Sequence, residues 1–435
     1  MELTGVQIGV LMIALAVGLM LIGFPVAVTM LIAGFLGMWL IRGDTAAWGL
    51  IGWQSWGQSV LKQILVIIPL YTWMGVMAAR GGIGADAFKS LYKWVGHVRG
   101  GLAMAVSVSC AAFGAVCGNH IATAVAMSRV ARPEMKKRNY DDGFSLGAMA
   151  ASGNLGIMIP PSGSFILFAF LTETSISKLF LAGILPGIFI MGLFIIQIAV
   201  QTKLKPSLAP SGPSVGWIDR LKHTYLLWPI ILIFLIVMGG IYFGVFTATE
   251  AACVGCFVVM VISLARRRLN VKGIIQTLQE TLPVSAMIML MLIGGWIFAS
   301  ALAVSGVPGA ITNYIMALEV SRYAVLALIL LVYLLMGIIM DIFAVMVITL
   351  PVFFPLVLAL GFDPLHFGVL CVAAIMTGSL SPPFAILAYA MHNLYKDVPV
   401  TTIFRGSIPF LITLAFAMFV LMFIPQLATF LPSLR

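Results

Sequence analysis

"GNLGIMIPPSG" occupies residues 153–163, inside an otherwise apolar segment from Phe144 to Leu171. Each of the two adjacent prolines lacks a backbone N–H, and its ring clashes with the helical carbonyl four residues back. In a membrane interior a carbonyl freed in this way has no water to bond, at a cost of several kcal/mol. The chain does the same thing a second time. "GSLSPPFA" at 378–385 has the same Gly-x-x-x-Pro-Pro spacing, 222 positions later.

The surroundings identify the medium. Of 435 residues, 62% are hydrophobic and only 9% charged, which excludes an ordinary soluble domain. Apolar runs of about 20 residues follow one another from Gly5 to Leu431, the mark of a chain that crosses a bilayer repeatedly. No long polar stretch forms a separate soluble domain, and the first apolar run has no basic residue ahead of it, unlike a signal peptide. The net charge of +10 is concentrated in "RVARPEMKKRN" (129–139), "KLKPSLAPSGPSVGWIDRLK" (203–222) and "RRRLNVK" (266–272). It therefore reports loop placement rather than nucleic-acid binding. Cys253 and Cys256 form a C-x-x-C without a second pair, and read as small packing residues.

The offset of 222 extends beyond the prolines. It lays "AVCGNHIATAVAMSRVARPEM" (115–135) over "GIIMDIFAVMVITLPVFFPLV" (337–357), with Asn119 on Asp341, Pro133 on Pro355 and, upstream, Gly84 on Gly306. Two structural repeats follow, each with a helix interrupted at small and polar residues (115–120, 337–341) and a helix broken at Pro-Pro. Paired interrupted helices in two halves point to a transporter's binding site, with freed carbonyls as ion ligands. The competing reading is a pair of proline kinks that only shape two spans.

The expected fold is an all-α membrane protein with about ten full spans, two re-entrant helical hairpins and inverted repeats with broken helices. The boundaries are N-terminal scaffold helices at 1–47, a first repeat at 48–200, a basic linker at 201–224, scaffold helices at 225–265 and a second repeat at 266–431. The hairpins are expected at 48–80, turning near "ILVIIPL" (64–70), and at 271–304, turning near "ETLPVS" (280–285). Segments 101–128 and 323–353 are expected as crossings. Counting lysines and arginines on that basis puts Arg129–Arg138, the linker, Arg266–Lys272, Arg322, Lys396 and Arg405 in the cytoplasm. Arg80, Lys89, Lys93 and Arg99 fall on the other face, and both termini are periplasmic.

Among the acidic residues, Asp341 and Glu250 look deep in spans, where a charge costs at least about 2.5–3.5 kcal/mol and is functional by default. Asp341 is favoured because it sits at a repeat-related break, whereas Glu250 lies near a helix start. His120 reads as a hydrogen-bonded packing residue. Ser162 and Ser164 either cap the half-helix after the prolines or meet substrate. No histidine–aspartate pair accompanies "SGS" (162–164), so nucleophilic catalysis is excluded as the leading reading.

At these residues the sequence resembles the large membrane subunit of the tripartite ATP-independent periplasmic (TRAP) transporters. The resemblance is carried by "GIMIPPS" with "FLAGILPG" (180–187), "TEAACVG" (249–255), "GIIMDIFAVMVITLPVFFP" (337–355), "GFDPLHFGV" (361–369) and "GSLSPPFAILAYA" (378–390). It implies an elevator-type carrier of the bacterial inner membrane, coupled to Na+ and taking up organic acids that bear a carboxylate. It also implies two partners, a small four-helix membrane subunit and a periplasmic substrate-binding protein. Two coupling sodium ions are implied. The first falls on Cys117, Asn119, Gly156, Ile159 and Pro161, largely through carbonyls, and the second on Gly337, Gly378, Ser381 and Pro383. Substrate-facing positions resemble Asn119, Ser164 and Asp341. The sequence departs from the family pattern at its first loop, where "CGN" replaces Ser-Gly-Ser and His120 follows, and a thiol is a poor ligand for a hard cation. It departs again at the second bend, where Ser-Pro-Pro stands for Thr-Pro-Pro. The alternative functions are a self-sufficient sodium/organic anion symporter and, least favoured, an intramembrane enzyme.

Overall fold

A computed structural model describes residues 3–54, 66–212 and 216–434, and every regular element among them is helical. Among these residues seven helices are long and apolar enough to cross a membrane unbroken, and one further span is bent by 41° at a break. The chain is a multi-pass membrane protein.

Helices α1 (Gly5–Leu21) and α2 (Val26–Arg42) form an antiparallel pair, with the Met12 side chain seated over Gly37. After α3 (Asp44–Gly52) come α4 (Ile67–Arg80) and the short α5 (Ile83–Val95). Then α6 (Gly101–Cys117) and α7 (His120–Lys137) run out and back. The Leu102 N–H at the start of α6 donates to the Tyr140 hydroxyl just past the end of α7 (3.4 Å), so the pair enters and leaves on one face. Gly118 turns the chain at φ +63°, and Asn119 caps α7 by accepting from the Ala122 N–H at 3.0 Å.

The next three helices, α8 (Asp142–Gly153), α9 (Leu155–Met158) and α10 (Gly163–Thr172), form one broken span, capped at its start by Asp141. It runs parallel to α6, since Ser107 bonds Ser152 (2.7 Å) and Gly114 abuts Gly156. The long α11 (Ile176–Leu204) returns to the starting face, where Thr202 bonds the Arg99 carbonyl. A span from α12 (Trp217–Thr224) through α13 (Trp228–Phe234) and α14 (Gly240–Tyr242) follows. After it come α15 (Ala248–Ala265) and the 35-residue α16 (Val271–Ser305).

The second half repeats the plan. Short α17 (Val307–Ala317) precedes a hairpin of α18 (Arg322–Ile339) and α19 (Ile342–Ala359). A broken span of α20 (Pro364–Leu380) and α21 (Ile386–Leu394) follows, then the full span α22 (Val400–Phe423) and terminal α23 (Gln426–Ser433). Tyr323 packs against Phe362 with ring centroids 5.6 Å apart, closing the base of this hairpin as Leu102 and Tyr140 close the first. The starts of α7 and α19, and of α8 and α20, are each 222 residues apart.

The two repeats are inverted. Lys136 and Arg132 beside the first hairpin's base pair with Asp397 at the far end of α21, while Phe168 near the end of α10 packs on Phe354 and Phe367 at the second hairpin's base. The broken spans are therefore antiparallel. Where they cross, the Asn154 amide donates to the Met376 carbonyl (3.1 Å) and accepts from the Ser379 hydroxyl (3.1 Å). Asn154 and Met376 are themselves 222 apart, so the pseudo-two-fold axis passes through this contact. Close approach of α8 to α22 depends on small residues, since Gly143 and Gly147 meet the backbone of Thr402 and Gly406.

Several expectations change. There are two hairpins, but they are α6–α7 and α18–α19, so 101–128 and 323–353 are not crossings. The segment 271–304 is one continuous helix with Pro283 inside it. A lone proline removes a single hydrogen bond, which a long helix absorbs as a kink. Reversal needs residues outside the helical region, here Gly118–Asn119 and the extended Met340 and Asp341. The turn expected at 64–70 lies partly outside the described residues, and Ile67–Leu70 begin α4. The relocated hairpins also redistribute charge. Arg80, Lys89, Lys93 and Arg99 join the first hairpin's face and Arg322 leaves it. Among the described lysines and arginines, only Arg42, Lys178 and Arg322 lie on the second hairpin's face, with the first and last described residues.

Candidate functional site

The first hairpin tip stops at the Pro-Pro break of its own repeat, and in the second repeat α18 meets the broken span just ahead of its prolines. In the first, the Gly163 N–H donates to the Gly118 carbonyl at 3.3 Å. A Cβ on Gly118 would stand 2.6 Å from the Pro161 carbonyl oxygen, and one on Gly156 would stand 2.6 Å from the Thr123 hydroxyl and 3.0 Å from the Asn119 carbonyl oxygen. Glycine is required at Gly118 so that backbone can meet backbone, and at Gly156 it leaves room for the Thr123 hydroxyl. In the second, a Cβ on Gly378 would lie 2.4 Å from the Leu334 carbonyl oxygen and 2.8 Å from the Gly337 carbonyl carbon. Both prolyl pairs, Pro160–Pro161 and Pro382–Pro383, are cis.

The broken helix satisfies part of its own backbone. Pro161 withdraws the donor that Ile157 would have used, and the Ser162 and Ser164 hydroxyls replace it, at 2.5 and 3.1 Å from the Ile157 carbonyl oxygen. The two hydroxyls are 2.7 Å from each other. Ser164 is fully buried on this carbonyl. The Ser162 side chain makes no helix-capping bond, so the capping role expected for these serines does not describe it. In the second repeat the Ser381 hydroxyl donates to the Thr377 carbonyl (2.9 Å), and the Ser381 N–H to the Gly378 carbonyl (2.9 Å). Pro383 is exposed, whereas Pro161 is buried.

A cavity of about 580 Å³ opens at the first tip. Its wall includes Cys117, Gly118, Asn119 and Ala122 of the hairpin, Gly163 of α10 and Phe343 of α19, with Arg80, Arg129 and Glu280 farther along. Of the residues expected to face substrate, Asn119 lines this cavity. Ser164 is not part of the wall, and neither is Asp341, whose carboxylate caps α19 through the Phe343 N–H at 3.2 Å. Asp341 is near enough to the buried His120 for their charges to interact. Among the described residues His120 Nδ1 has no hydrogen-bond partner, so the packing histidine expected from the sequence is not bonded through that nitrogen. Glu250 is the third residue of α15 and closes a capping box with Thr247, accepting its N–H at 2.8 Å. Its role there is helix-terminal.

Oxygen donors dominate around the first tip. The Gly118, Asn119 and Pro161 carbonyls lie near the tip, the first accepting from the Gly163 N–H and the second from the Thr123 N–H and hydroxyl (3.0 and 2.7 Å), and hard cations prefer such oxygens to the Cys117 thiol. Asn154 went unselected from sequence, although an amide in an apolar segment is the signal that should have marked it. Arg129 and Phe343 also went unselected.

Comparison with known proteins agrees with this architecture. The family model for the "Tripartite ATP-independent periplasmic transporter, DctM component" matches residues 12–427. The ectoine TRAP transporter large permease TeaC of Halomonas elongata is 30% identical, covering 98% of this chain and 99% of that protein. The C4-dicarboxylate TRAP transporter large permease DctM of Pseudomonas aeruginosa is 30% identical over 85% of this chain and 86% of its own. The sialic acid permease SiaM of Vibrio cholerae is 27% identical over 96% of each. Among solved structures, the Alcanivorax borkumensis YdaH transporter superposes with a TM-score of 0.67 at 14% identity, covering 88% of this chain and 89% of its own. Neisseria gonorrhoeae MtrF gives 0.62 at 11% identity, with 98% and 95% coverage. At those identities the likeness is one of fold. The inverted hairpins, the paired breaks and the match along almost the whole sequence have one conclusion: the chain belongs to the DctM-component family of TRAP transporters and is a large membrane permease subunit, not an enzyme.

Proposed function

We propose that the chain carries a small organic anion bearing a carboxylate across the bacterial inner membrane, driven by two sodium ions. It works as the large permease of a system that includes a small membrane subunit and a periplasmic binding protein. The observation that carries this reading is the packing of each hairpin on the broken span of its own repeat, tip to Pro-Pro break in the first, on both sides of a pseudo-two-fold axis. Four segments of irregular backbone thereby converge, and irregular backbone at membrane depth is tolerated where it lines a cavity or is buried in protein. Sodium enters as cargo. The carbonyls at Cys117, Asn119, Gly156, Ile159 and Pro161 suit it at the first break, and Gly337, Gly378, Ser381 and Pro383 at the second.

The orientation follows from charge. The first hairpin's face bears nearly all described lysines and arginines, so it is cytoplasmic, and the termini are periplasmic. The cavity at Asn119 then opens inward. Entry of a monoanion against the potential costs about 2.3 kcal/mol per 100 mV, and two sodium ions reverse that sign. The relatives named for C4-dicarboxylates and sialic acid support an acidic substrate. The test is reconstitution in proteoliposomes with a sodium gradient. Uptake is expected with the small subunit and loaded binding protein present, and little or none with the purified chain alone. Robust flux by the chain alone would replace this reading with the self-sufficient symporter.

A further inference from the structure

We propose that Arg129 is an anion-docking residue at the mouth of the inward cavity, a waypoint that receives a carboxylate leaving the Asn119 tip. The inference rests on the anionic-cargo reading above and extends it to a second position.

The geometry comes from one helix face. Asn119, Ala122, Ala126 and Arg129 follow each other at spacings of three and four residues, and all four line the cavity. They form a strip about 15 Å long at 1.5 Å per residue. Between the amide at the tip and the guanidinium at the mouth the strip presents only methyl groups, which leave room for passage and offer no competing polar contact.

Charge then distinguishes Arg129 from its neighbours. Arg80, on the same wall, is engaged by Glu280 in an ion pair and donates to Gln276 at 2.9 Å. Arg132, one turn beyond, is buried and paired with Asp142. Lys136 pairs with Asp397 and Lys137 with Glu134. Arg129 is exposed, and among the described residues its guanidinium has no ion pair and no hydrogen bond. Among the described residues the wall carries Arg80, Arg129 and Glu280 as its charged groups, so one positive charge there is uncompensated. The rest of the wall is mainly apolar, and a cleft of one sign with low-dielectric walls concentrates oppositely charged solutes, raising their arrival rate about tenfold or more. A guanidinium also matches a carboxylate in two-point geometry, which a lysine does not.

The test reads the potential of the cavity without needing the substrate. Ala126→Cys places a thiol on the strip one turn from Arg129. In the purified full chain, its modification by two methanethiosulfonate reagents, one bearing a sulfonate and one a trimethylammonium, is followed at that peptide by mass spectrometry. At low ionic strength the anionic reagent is expected to react several-fold faster, relative to small-thiol controls. Adding Arg129→Gln should abolish that several-fold preference, Arg129→Lys should retain most of it, and salt of about 1 M should remove it, since the screening length falls to about 3 Å. An unchanged preference in Arg129→Gln overturns the proposal, as does failure of both reagents to reach position 126. The outcome is independent of whether the chain transports, so a failed uptake assay and a failed docking residue are separable.

Discussion

Ser162 and Ser164 present a backbone problem with a measurable signature. Pro161 leaves the Ile157 carbonyl without its helical donor, and the two hydroxyls share the replacement. Three contacts join the three oxygens, but the hydroxyls carry only two protons, so at most two contacts are hydrogen bonds at once. Removing either serine still leaves one donor on the carbonyl, and each single alanine should cost about 0.5–1.5 kcal/mol. Removing both leaves a buried carbonyl with neither replacement donor, adding an unsatisfied-group cost of about 1–3 kcal/mol. The pair should therefore be non-additive, with a coupling of about 1 kcal/mol or more in the destabilising direction. The assay is a double-mutant cycle on Ser162→Ala and Ser164→Ala. It is read as unfolding of the detergent-solubilised chain, with sodium-dependent uptake by the reconstituted system as a second readout. A double variant no worse than the sum of the singles would refute the shared-donor account. So would two singles that each cost as much as the pair.

Other outcomes follow from the same geometry. Asp341→Asn should impair transport with normal membrane insertion, while Glu250→Gln should be close to neutral because glutamine can also close a capping box; equal mild losses would show that Asp341 is a structural acid. Gly378→Ala should cost about 1–3 kcal/mol, since the new methyl meets the backbone of Leu334 and Gly337 instead of a movable side chain, and a thermal midpoint matching the parent chain would contradict that packing. The Lys136 hydrogen bond, with Arg132 nearby, holds the Asp397 carboxyl below its ordinary range. A depressed folded value stabilises above the unfolded pKa near 3.9 and is lost as pH falls through the folded value, so Asp397→Asn should lower the thermal midpoint at pH 7, and the difference should shrink progressively as the pH is taken below the ordinary carboxylate range. A difference that persists at low pH would remove the charge from the explanation.

The sequence by itself determined the medium, the repeat and the location of the breaks. Apolar run length is set by bilayer thickness, and a proline without an N–H acts wherever it stands, so composition and the two Pro-Pro motifs carry that information locally. The offset of 222 was legible for the same reason, and it correctly paired Asn119 with Asp341. Direction was decided only by tertiary structure. An apolar helix interrupted at Cys117–Asn119 can continue across the membrane or turn back, and both readings have the same hydropathy. The choice is made by contacts such as Leu102 with Tyr140 and Tyr323 with Phe362, which join residues nearly forty positions apart. Pro283 misled in the opposite sense, because a long packed helix absorbs one lost hydrogen bond. The partners of the polar groups were equally hidden. Ser164 turned to a carbonyl of its own segment, and Asn154 crossed 222 positions to Met376. Residue type states what a side chain can bond, and only the packed chain decides which partner is within reach.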